Sequence, residues 1–389
     1  MIFEIIFWSS IIAIFHSYIF YPLILYIYPK KIYKKLTFYL PEDELPIISI
    51  LISAYNEEEV IKEKIESIYK TNYPVNKIEL IIGSDKSTDN TNNIINKLKE
   101  KYSDIQFFPY KKRQGKINII NNLVNKAKGE IYILTDANVI FNLNTLYELV
   151  KYFKNPNIGL VDTNMINIGL KKEGISVQEK TYITREVKIK NLEGKIWGTM
   201  MGPFGGCFAI RKELYSDVPS NFLVDDFYLN MKVLEKSKMA INNVNAKVYE
   251  DVSNNLRDEF RRKVRIATGN FQNLVAFKHL LWHPVKGLSF SFISHKVLRW
   301  LGPFFLLSAL ISNIFIFNKI LIYNYLLYIQ IIIYIIPIID YLLRKIKIHV
   351  IFLRFITHFI SMNIALLTGF IKFHKGVKTN IWQPTKRNQ

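Results

Sequence analysis

The sequence predicts an α/β domain with a mostly parallel sheet, flanked by apolar segments near both ends of the chain. Between Pro46 and Phe277, short apolar runs alternate with stretches of helical spacing, which is the pattern of βαβ units. Apolar residues make up 50% of the 389 residues, and they cluster at the two ends. Since about 20 apolar residues span a bilayer, we expect a membrane protein with a soluble middle.

Apolar runs of strand length predict four strands within this middle domain, residues 46–277. They are residues 47–55, 78–85, 105–110 and 130–137. Stretches of helical spacing separate them, and Pro74 and Gly129 mark the ends of two helical units. The sequence shows no internal repeat and no disordered linker of any length.

The N-terminal segment, residues 1–28, is predicted to be a transmembrane anchor. It has no basic start and no small-residue cleavage site, which distinguishes it from a cleaved signal peptide. Four lysines follow it directly, at Lys30, Lys31, Lys34 and Lys35. Because basic flanks stay on the cytoplasmic side, we expect a cytoplasmic middle domain on the plasma (inner) membrane.

The C-terminal part is predicted to contain transmembrane helices within residues 298–371, preceded by an interfacial region at 278–297. The apolar segments are residues 298–317, 321–343 and 350–371. Three spans would leave the basic tail, residues 372–389, on the outside, which the positive-inside rule disfavours. Either one segment does not span the membrane, or the tail is an exception.

The net charge is +20, a value compatible with nucleic acid, anionic lipid or a phosphorylated substrate as partner. We expect no nucleic acid partner, because the sequence contains no recognition module for one. Cys207 is the single cysteine, so intrachain disulfides and cysteine-based metal sites are excluded. It is interpreted as a small buried apolar residue.

Polar and acidic residues follow three of the four predicted strands. Tyr55 and Glu57 come at the end of the first, Asp85 at the end of the second and Asp136 at the end of the fourth. Ligands of open α/β sheets bind beyond the carboxyl ends of strands, and neighbouring strands lie ~4.8 Å apart. These side chains are therefore expected to converge on one ligand.

Asp85 stands at its strand end, before a helix that Ser87 or Thr88 would cap. Asp89 suits the first turn of that helix, where the dipole favours a carboxylate. The Asp85 carboxylate is a candidate to accept hydrogen bonds from a nucleoside base or ribose.

Asp136 and Asn138 are candidate ligands of a divalent cation. Alternation along the chain places both side chains on one side, and Mg²⁺ and Mn²⁺ take oxygen ligands from carboxylates, amides and phosphates. The alternative is a strand-to-helix turn with Asn138 as its cap.

Two groups of cations are candidates to bind phosphate. Arg113, Gly115 and Lys116 precede an amphipathic helix, and a glycine at a helix start beside cations suits a phosphate; a solvated basic turn is the alternative. Arg262 and Arg265 share one helix face, which suits either phosphate or anionic lipid.

Asp225 and Asp226 follow an apolar run. Two adjacent carboxylates raise each other's pKa when they are buried, and a general base must be such a group within bonding reach of its proton. The pair also suits a helix N-terminus, and both interpretations hold together.

In their order along the chain, these motifs resemble the family-2 glycosyltransferases with the GT-A fold, over roughly residues 46–273. The series is Ser53-Ala54-Tyr55-Asn56-Glu57, Asp85-x-Ser87-Thr88-Asp89-x-Thr91, Arg113-x-Gly115-Lys116, Asp136-Ala137-Asn138, Gly205-Gly206 and Asp225-Asp226. The flanking apolar segments are similar to those of the membrane-bound branch of the family.

The resemblance implies a role for each motif. Glu57 and Asp85, with Tyr55 beside them, would hold the nucleoside, and Lys116 would lie at the phosphates. Asp136 and Asn138 occupy the Asp-x-Asp place, which supports the cation and the diphosphate.

Asp226 takes the place of the catalytic base in this resemblance, with Asp225 beside it. The glycine-rich stretch 202–206 is either a loop through which the acceptor approaches or a tight turn. Arg265 matches the arginine of the Gln-x-x-Arg-Trp motif of processive synthases. Arg262 and Ile266 replace its glutamine and tryptophan, which disfavours polymer synthesis.

The function that the resemblance implies is that of an inverting, metal-dependent hexosyltransferase. It would use a nucleotide diphosphate sugar, a UDP-sugar by expectation, with Mg²⁺ or Mn²⁺. The expected acceptor is lipid-linked or a saccharide, in surface polysaccharide or glycolipid assembly. A processive polysaccharide synthase and a non-catalytic nucleotide-sugar-binding membrane scaffold are the alternatives.

Overall fold

The computed structural model describes residues 1–29, 36–168, 176–251, 256–282 and 287–381. The four lysines predicted to flank the N-terminal anchor and residues 382–389 of the predicted basic tail lie outside these ranges.

The centre of the domain is an eight-stranded mixed sheet with the strand order β3-β2-β1-β4-β7-β6-β8-β5. Four of its strand pairings are parallel and three are antiparallel. The strands are β1 Ile48–Ala54, β2 Ile78–Asp85, β3 Gln106–Tyr110, β4 Ile131–Thr135, β5 Ile140–Phe141, β6 Ile158–Ile168, β7 Cys207–Arg211 and β8 Met239–Asp251. The predicted α/β class is confirmed, and β1 to β4 coincide with the four predicted strands to within two residues.

Helices cover both faces of the sheet and form the apolar parts of the chain. They are α1 Ile2–Phe15, α2 Tyr21–Ile27, α3 Ile61–Tyr69, α4 Thr91–Lys101, α5 Lys116–Val124, α6 Thr145–Val150, α7 Ser176–Trp197, α8 Asp225–Glu235, α9 Leu256–Ala276, α10 Leu288–Ser291, α11 Leu298–Trp300, α12 Gly302–Ile316, α13 Leu321–Lys345 and α14 Ile351–His374. Short π-helical segments, His16–Phe20 and Phe292–Val297, join α1 to α2 and α10 to α11.

The continuous apolar run of β1 is explained by burial on both of its faces. Ile50 and Ile52 pack into one core with α3, whereas Leu51 packs into the other core with α5. A strand that is covered on both sides has no polar face. This is why its sequence lacks the alternation of a strand with one solvated face.

The parallel register brings the polar strand ends to one edge of the sheet. Ala54 of β1 lies opposite Ser84 of β2, and β4 runs parallel to β1 on its other side. The antiparallel β7 starts at this edge, with Cys207 opposite Thr135. The residues that follow β1, β2 and β4 and those that precede β7 therefore meet.

Within the described residues, three helical stretches are long and apolar enough to cross a membrane: Ile2–Ile27, Leu321–Lys345 and Ile351–His374. The predicted segment 298–317 differs from a simple span. It belongs to a pair of helices, Leu288–Trp300 and Gly302–Ile316, that are bent by 63° relative to each other.

The N-terminal helix and α12 run antiparallel. Phe3 stacks on Phe315 with the ring centroids 4.4 Å apart, and His16 Nε2 lies 2.8 Å from Ser294 Oγ. The loop after α12 meets the start of the chain, where Lys319 pairs with Glu4 at 2.8 Å. The start of the N-terminal helix therefore lies beside the end of α12.

Helix α14 packs along α9 of the α/β domain. A Cβ built on Gly369 would lie 2.5 Å from the Cβ of Ala267, so the glycine permits this close approach. Beyond α14, Asn221 of the domain donates a hydrogen bond to the Val377 carbonyl at 3.4 Å. The described residues after α14 therefore lie against the domain.

Candidate active site

The Asp85 carboxylate organises the loop before α5. Only 1% of Asp85 is exposed, and its two oxygens accept hydrogen bonds from the backbone N–H groups of Gln114 at 2.6 Å and Gly115 at 2.8 Å. Arg113 Nη1 lies 3.3 Å from Asp85 Oδ2. The end of β2 thereby fixes the loop that carries the predicted phosphate-binding residues.

Tyr55 and Arg113 form one wall at this edge of the sheet. The Arg113 guanidinium lies 3.1 Å from the centroid of the Tyr55 ring, a cation–π contact. Glu57 is held nearby, since its backbone N–H donates to Thr91 Oγ1 at 2.8 Å. The loops after β1 and β2 are thus tied to each other.

Lys116 bridges two strand ends. Its Nζ lies 2.6 Å from Asp136 Oδ1, beyond β4, and 3.3 Å from the carbonyl of Gly205, before β7. Burial alone would lower the pKa of Lys116, but the carboxylates of Asp136, Asp225 and Asp226 outweigh burial and raise it. The ammonium is therefore held in its charged form.

Asp225 and Asp226 begin α8, as the helix-start interpretation predicts. Burial and the neighbouring Asp225 charge raise the pKa of Asp226 to about 7. A Cβ built on Gly205 would lie 2.7 Å from Asp226 Oδ2, so a glycine is needed where the loop passes this carboxylate. The same loop that accepts a bond from Lys116 therefore borders Asp226.

The two arginines of α9 have different surroundings. Arg262 pairs with Glu179 at 3.2 Å and with Glu259 at 3.0 Å. Arg265 is close enough to Asp136 and Asp226 to interact with their charges, although burial lowers its pKa overall. Of the two arginines, Arg265 contributes positive charge to the strand-end cluster, and Arg262 chiefly joins α9 to α7.

A divalent cation fits the chemistry at Asp136. About a third of this side chain, 35%, is exposed, and Mg²⁺ in nucleotide sites is commonly bound by one or two carboxylates together with substrate phosphates. Asn138 is only 5% exposed and its amide donates to Glu250 Oε1 at 2.9 Å. Within the described ranges, no three His, Cys, Asp or Glu side chains form a metal-binding group.

Lys64, on α3, is a residue that the sequence interpretation missed. It is fully buried beneath the turn that carries Asp136, and burial lowers its pKa to about 7. Its Nζ donates to Thr135 Oγ1 at 2.9 Å and to the Val139 carbonyl at 2.5 Å. Lys64 thus fixes both ends of the turn. In the sequence, the only signal for it is a charged residue at a position on the apolar face of the helix.

Asn380, which follows α14, also went unpredicted as a neighbour of the site. It is 5% exposed, and a Cβ on Gly115 would overlap its side chain. The positive φ of Gly115, +85°, is a second reason for glycine at this position.

The comparisons with known proteins identify the domain. Residues 49–218 match the family described as Glycosyl transferase family 2. The chain carries a family 2 glycosyltransferase domain. The resemblance found in the motif order is therefore confirmed for the region of β1 to β7.

Curated relatives share this domain. A probable glycosyltransferase of Bacillus subtilis is 29% identical over 152 residues, 38% of this chain and 34% of that protein. A poly-β-1,6-N-acetyl-D-glucosamine synthase of Staphylococcus aureus is 33% identical over 123 residues, 31% of this chain and 29% of that protein. The chain thus matches about a third of the length of these relatives.

The fold of the chain is shared over nearly its full length with a solved structure. This is a mannosyltransferase from Pyrobaculum calidifontis in complex with GDP-mannose and Mn²⁺. The TM-score is 0.72 at 20% identity, over 96% of this chain and 99% of the other. The GT-A fold expected from the motifs is confirmed.

We predict that Lys64→Met weakens binding of a nucleoside diphosphate in the presence of Mn²⁺ roughly tenfold, the size of effect expected for losing hydrogen bonds from a charged donor. The turn that carries Asp136 would lose its internal anchor. Isothermal titration calorimetry of UDP and of GDP, each with and without Mn²⁺, measures the effect.

Lys62→Met is the matched control, because Lys62 lies on the same helix but is exposed. Asp136→Ala should remove the Mn²⁺ dependence altogether. Unchanged affinity in the Lys64 variant would contradict the role of this lysine in the turn.

Proposed function

We propose that the chain is an inverting glycosyltransferase that moves a sugar from a nucleotide diphosphate sugar to a lipid-linked or saccharide acceptor at a membrane. One observation carries this proposal. Asp226, whose pKa is raised to about 7, faces Gly205, and the Gly205 carbonyl is bound by Lys116, the partner of Asp136. A group able to accept a proton thus lies beside the cations expected to hold a diphosphate.

On the donor side, the nucleoside would lie against the wall formed by Tyr55 and beside the neighbouring Glu57. Asp85 acts there by shaping the loop before α5, because its oxygens are bound by backbone N–H groups. The start of α5 offers backbone N–H groups and the Lys116 ammonium, a combination that favours phosphate.

A divalent cation, Mg²⁺ or Mn²⁺, is part of the proposal. Asp136 would hold it together with diphosphate oxygens, and Asn138 is a further ligand by position. When bound, the cation would neutralise charge on the diphosphate. The mannosyltransferase that shares the fold was solved with Mn²⁺, which supports this assignment.

In the proposed reaction, Asp226 accepts the proton of an acceptor hydroxyl. The acceptor oxygen bonds to the anomeric carbon as the bond from that carbon to the diphosphate oxygen breaks, so the configuration inverts. Lys116 and Arg265 offset the negative charge on the leaving diphosphate. No covalent enzyme intermediate is needed.

The donor is proposed to be a UDP-sugar and the product a surface polysaccharide or glycolipid. The Staphylococcus relative is named as a polysaccharide synthase, which supports the product class, whereas the mannosyltransferase was solved with GDP-mannose. Membranes incubated with a panel of UDP- and GDP-sugars would identify the donor by the nucleoside diphosphate they release.

Two alternatives make different predictions. A processive polysaccharide synthase would produce long chains on one acceptor, and the contacts of Arg262 with Glu179 and Glu259 give it no special support. A non-catalytic nucleotide-sugar-binding scaffold would neither hydrolyse nor transfer the sugar. Product length and donor hydrolysis by the purified protein separate the three.

The proposed location is the plasma (inner) membrane, with the domain in the cytoplasm. In this arrangement α1, with the helix that continues it, and α13 cross the bilayer, α12 enters it after the 63° bend, and α14 lies along the domain. The arrangement differs from three C-terminal spans only in that α14 does not cross the bilayer. The basic tail would then stay on the same side of the membrane as the domain. The conflict with the positive-inside rule is then removed.

We predict that Asp226→Asn lowers the transfer rate by on the order of a thousandfold, the contribution of a general base, and leaves nucleotide affinity nearly unchanged. Radiolabelled sugar transfer and calorimetric UDP or GDP binding measure the two. Asp217→Asn, at an exposed carboxylate, is the control. Wild-type turnover in the Asp226 variant would refute the base assignment.

The pH dependence gives a separate prediction. Because the pKa of Asp226 is raised to about 7, transfer should decline as the pH falls through this value and the base becomes protonated. Asp225→Asn removes a negative neighbour, lowers the pKa of Asp226 and should move the acid limb of the pH–rate profile to lower pH. Asp217→Asn should leave the limb in place.

Cysteine labelling tests the arrangement of the membrane helices. The single native cysteine, Cys207, is buried, so an impermeant maleimide should give little background. We predict that Lys375→Cys labels from the same side of the membrane as Lys97→Cys, at an exposed position of α4, and from the opposite side to Lys319→Cys. Labelling of positions 375 and 319 from one side would mean that α14 spans the bilayer.

A further inference from the structure

Helix α7 carries three buried glutamates at intervals of seven residues, which lie on nearly the same face of a helix. They are Glu179, Glu186 and Glu193. The first binds α9 and α14, through Lys263 at 2.7 Å and His358 at 3.4 Å. This glutamate thus joins α7 both to α9 of the α/β domain and to α14 of the apolar C-terminal part.

Glu193 differs from the other two because it also contacts the glycine-rich loop 201–206. Its side chain is fully buried and accepts hydrogen bonds from the Tyr21 hydroxyl at 2.6 Å and the Met201 backbone N–H at 3.0 Å. His295 Nδ1 lies 2.7 Å from Glu193 Oε1. One carboxylate therefore joins the N-terminal apolar helix, the segment before α11 and the loop.

A second carboxylate fixes the other end of the same loop. Asp162 Oδ1 accepts a hydrogen bond from the Phe204 backbone N–H at 2.7 Å. Its Oδ2 lies 2.7 Å from Lys190 Nζ, a residue of α7 three positions before Glu193. The loop position at both ends thus depends on side chains of α7.

Gly205, in this loop, connects it to the reaction centre. Its carbonyl accepts a hydrogen bond from Lys116, and its Cα faces Asp226 closely enough that a Cβ would lie 2.7 Å from the carboxylate. A shift of the loop by even one ångström would change the space beside Asp226. This space is where the acceptor hydroxyl must lie in the proposed reaction.

We propose that Glu193 is a positioning residue that sets the acceptor side of the active site by linking the loop 201–206 to the apolar helices. This inference rests on the proposed function. A buried carboxylate is stable only when hydrogen-bond partners offset the loss of water. For Glu193, three different parts of the chain supply these partners.

Glu193→Gln tests the link in the full-length protein, because glutamine keeps the shape but has one acceptor oxygen in place of two. It cannot accept from Tyr21, Met201 and His295 together. We expect the KM for the acceptor to rise roughly fivefold or more, the size of effect expected for one lost hydrogen bond to a charged group. Nucleotide affinity and donor hydrolysis without acceptor should stay unchanged.

Glu186→Gln is the matched control. Glu186 lies one heptad earlier on the same helix and binds His295 and Lys296, but it has no described contact with the loop. A rise in acceptor KM for Glu193→Gln that exceeds that of Glu186→Gln supports the proposal. Equal rises, or no rise in the Glu193 variant, would overturn it.

Two further readouts keep the test decisive. If Glu193→Gln does not fold, Tyr21→Phe is the second variant. It removes a single hydroxyl and should raise the acceptor KM by a smaller factor. Hydrogen exchange of the backbone N–H groups of Met201 and Phe204 should accelerate in Glu193→Gln and not in Glu186→Gln. Hydrogen exchange can be measured without transferase activity. If the wild-type protein transfers no sugar, the proposed function is refuted, but exchange still tests whether Glu193 holds the loop.

Discussion

The ion pair between Lys116 and Asp136 is the interaction on which the site depends. It joins the start of α5 to the end of β4 at 2.6 Å, and the same ammonium reaches Gly205 before β7. The parallel sheet makes this possible, because it delivers strand ends from distant parts of the chain to one edge. Without a cation at this position, the carboxylates of Asp136, Asp225 and Asp226 would repel each other.

Local sequence signals were sufficient for β1 to β4, the first four of the eight strands in the described part of the chain. The runs that form β1, β2 and β4 are buried on both faces, so they are continuously apolar and easily recognised. Asp85 and Asp136 were then found from their places at the strand ends. The roles suggested for them on the donor side remain proposals, and for Asp85 the structure shows bonds to backbone N–H groups.

The residues that escaped sequence analysis are those whose partners lie far away along the chain. Lys64 is 71 residues from Thr135, and Asn380 packs over Gly115 from the other end of the chain. Lys64 is signalled locally only by its charge on the apolar face of an amphipathic helix, and Asn380 has no local signal. The hydropathy of α14 likewise could not reveal that it packs along α9, because composition records affinity for an apolar environment and not the identity of the neighbour.

The buried charges of α7 show what holds an apolar region to a polar domain. The hydrophobic effect is non-directional, whereas hydrogen bonds to a buried carboxylate are directional. Breaking such a bond leaves a buried charge without its partner, which costs several kcal/mol. The three glutamates of α7 therefore hold this helix in one orientation relative to α9, α14 and the N-terminal helix. The position of the loop beside Asp226 depends on that orientation.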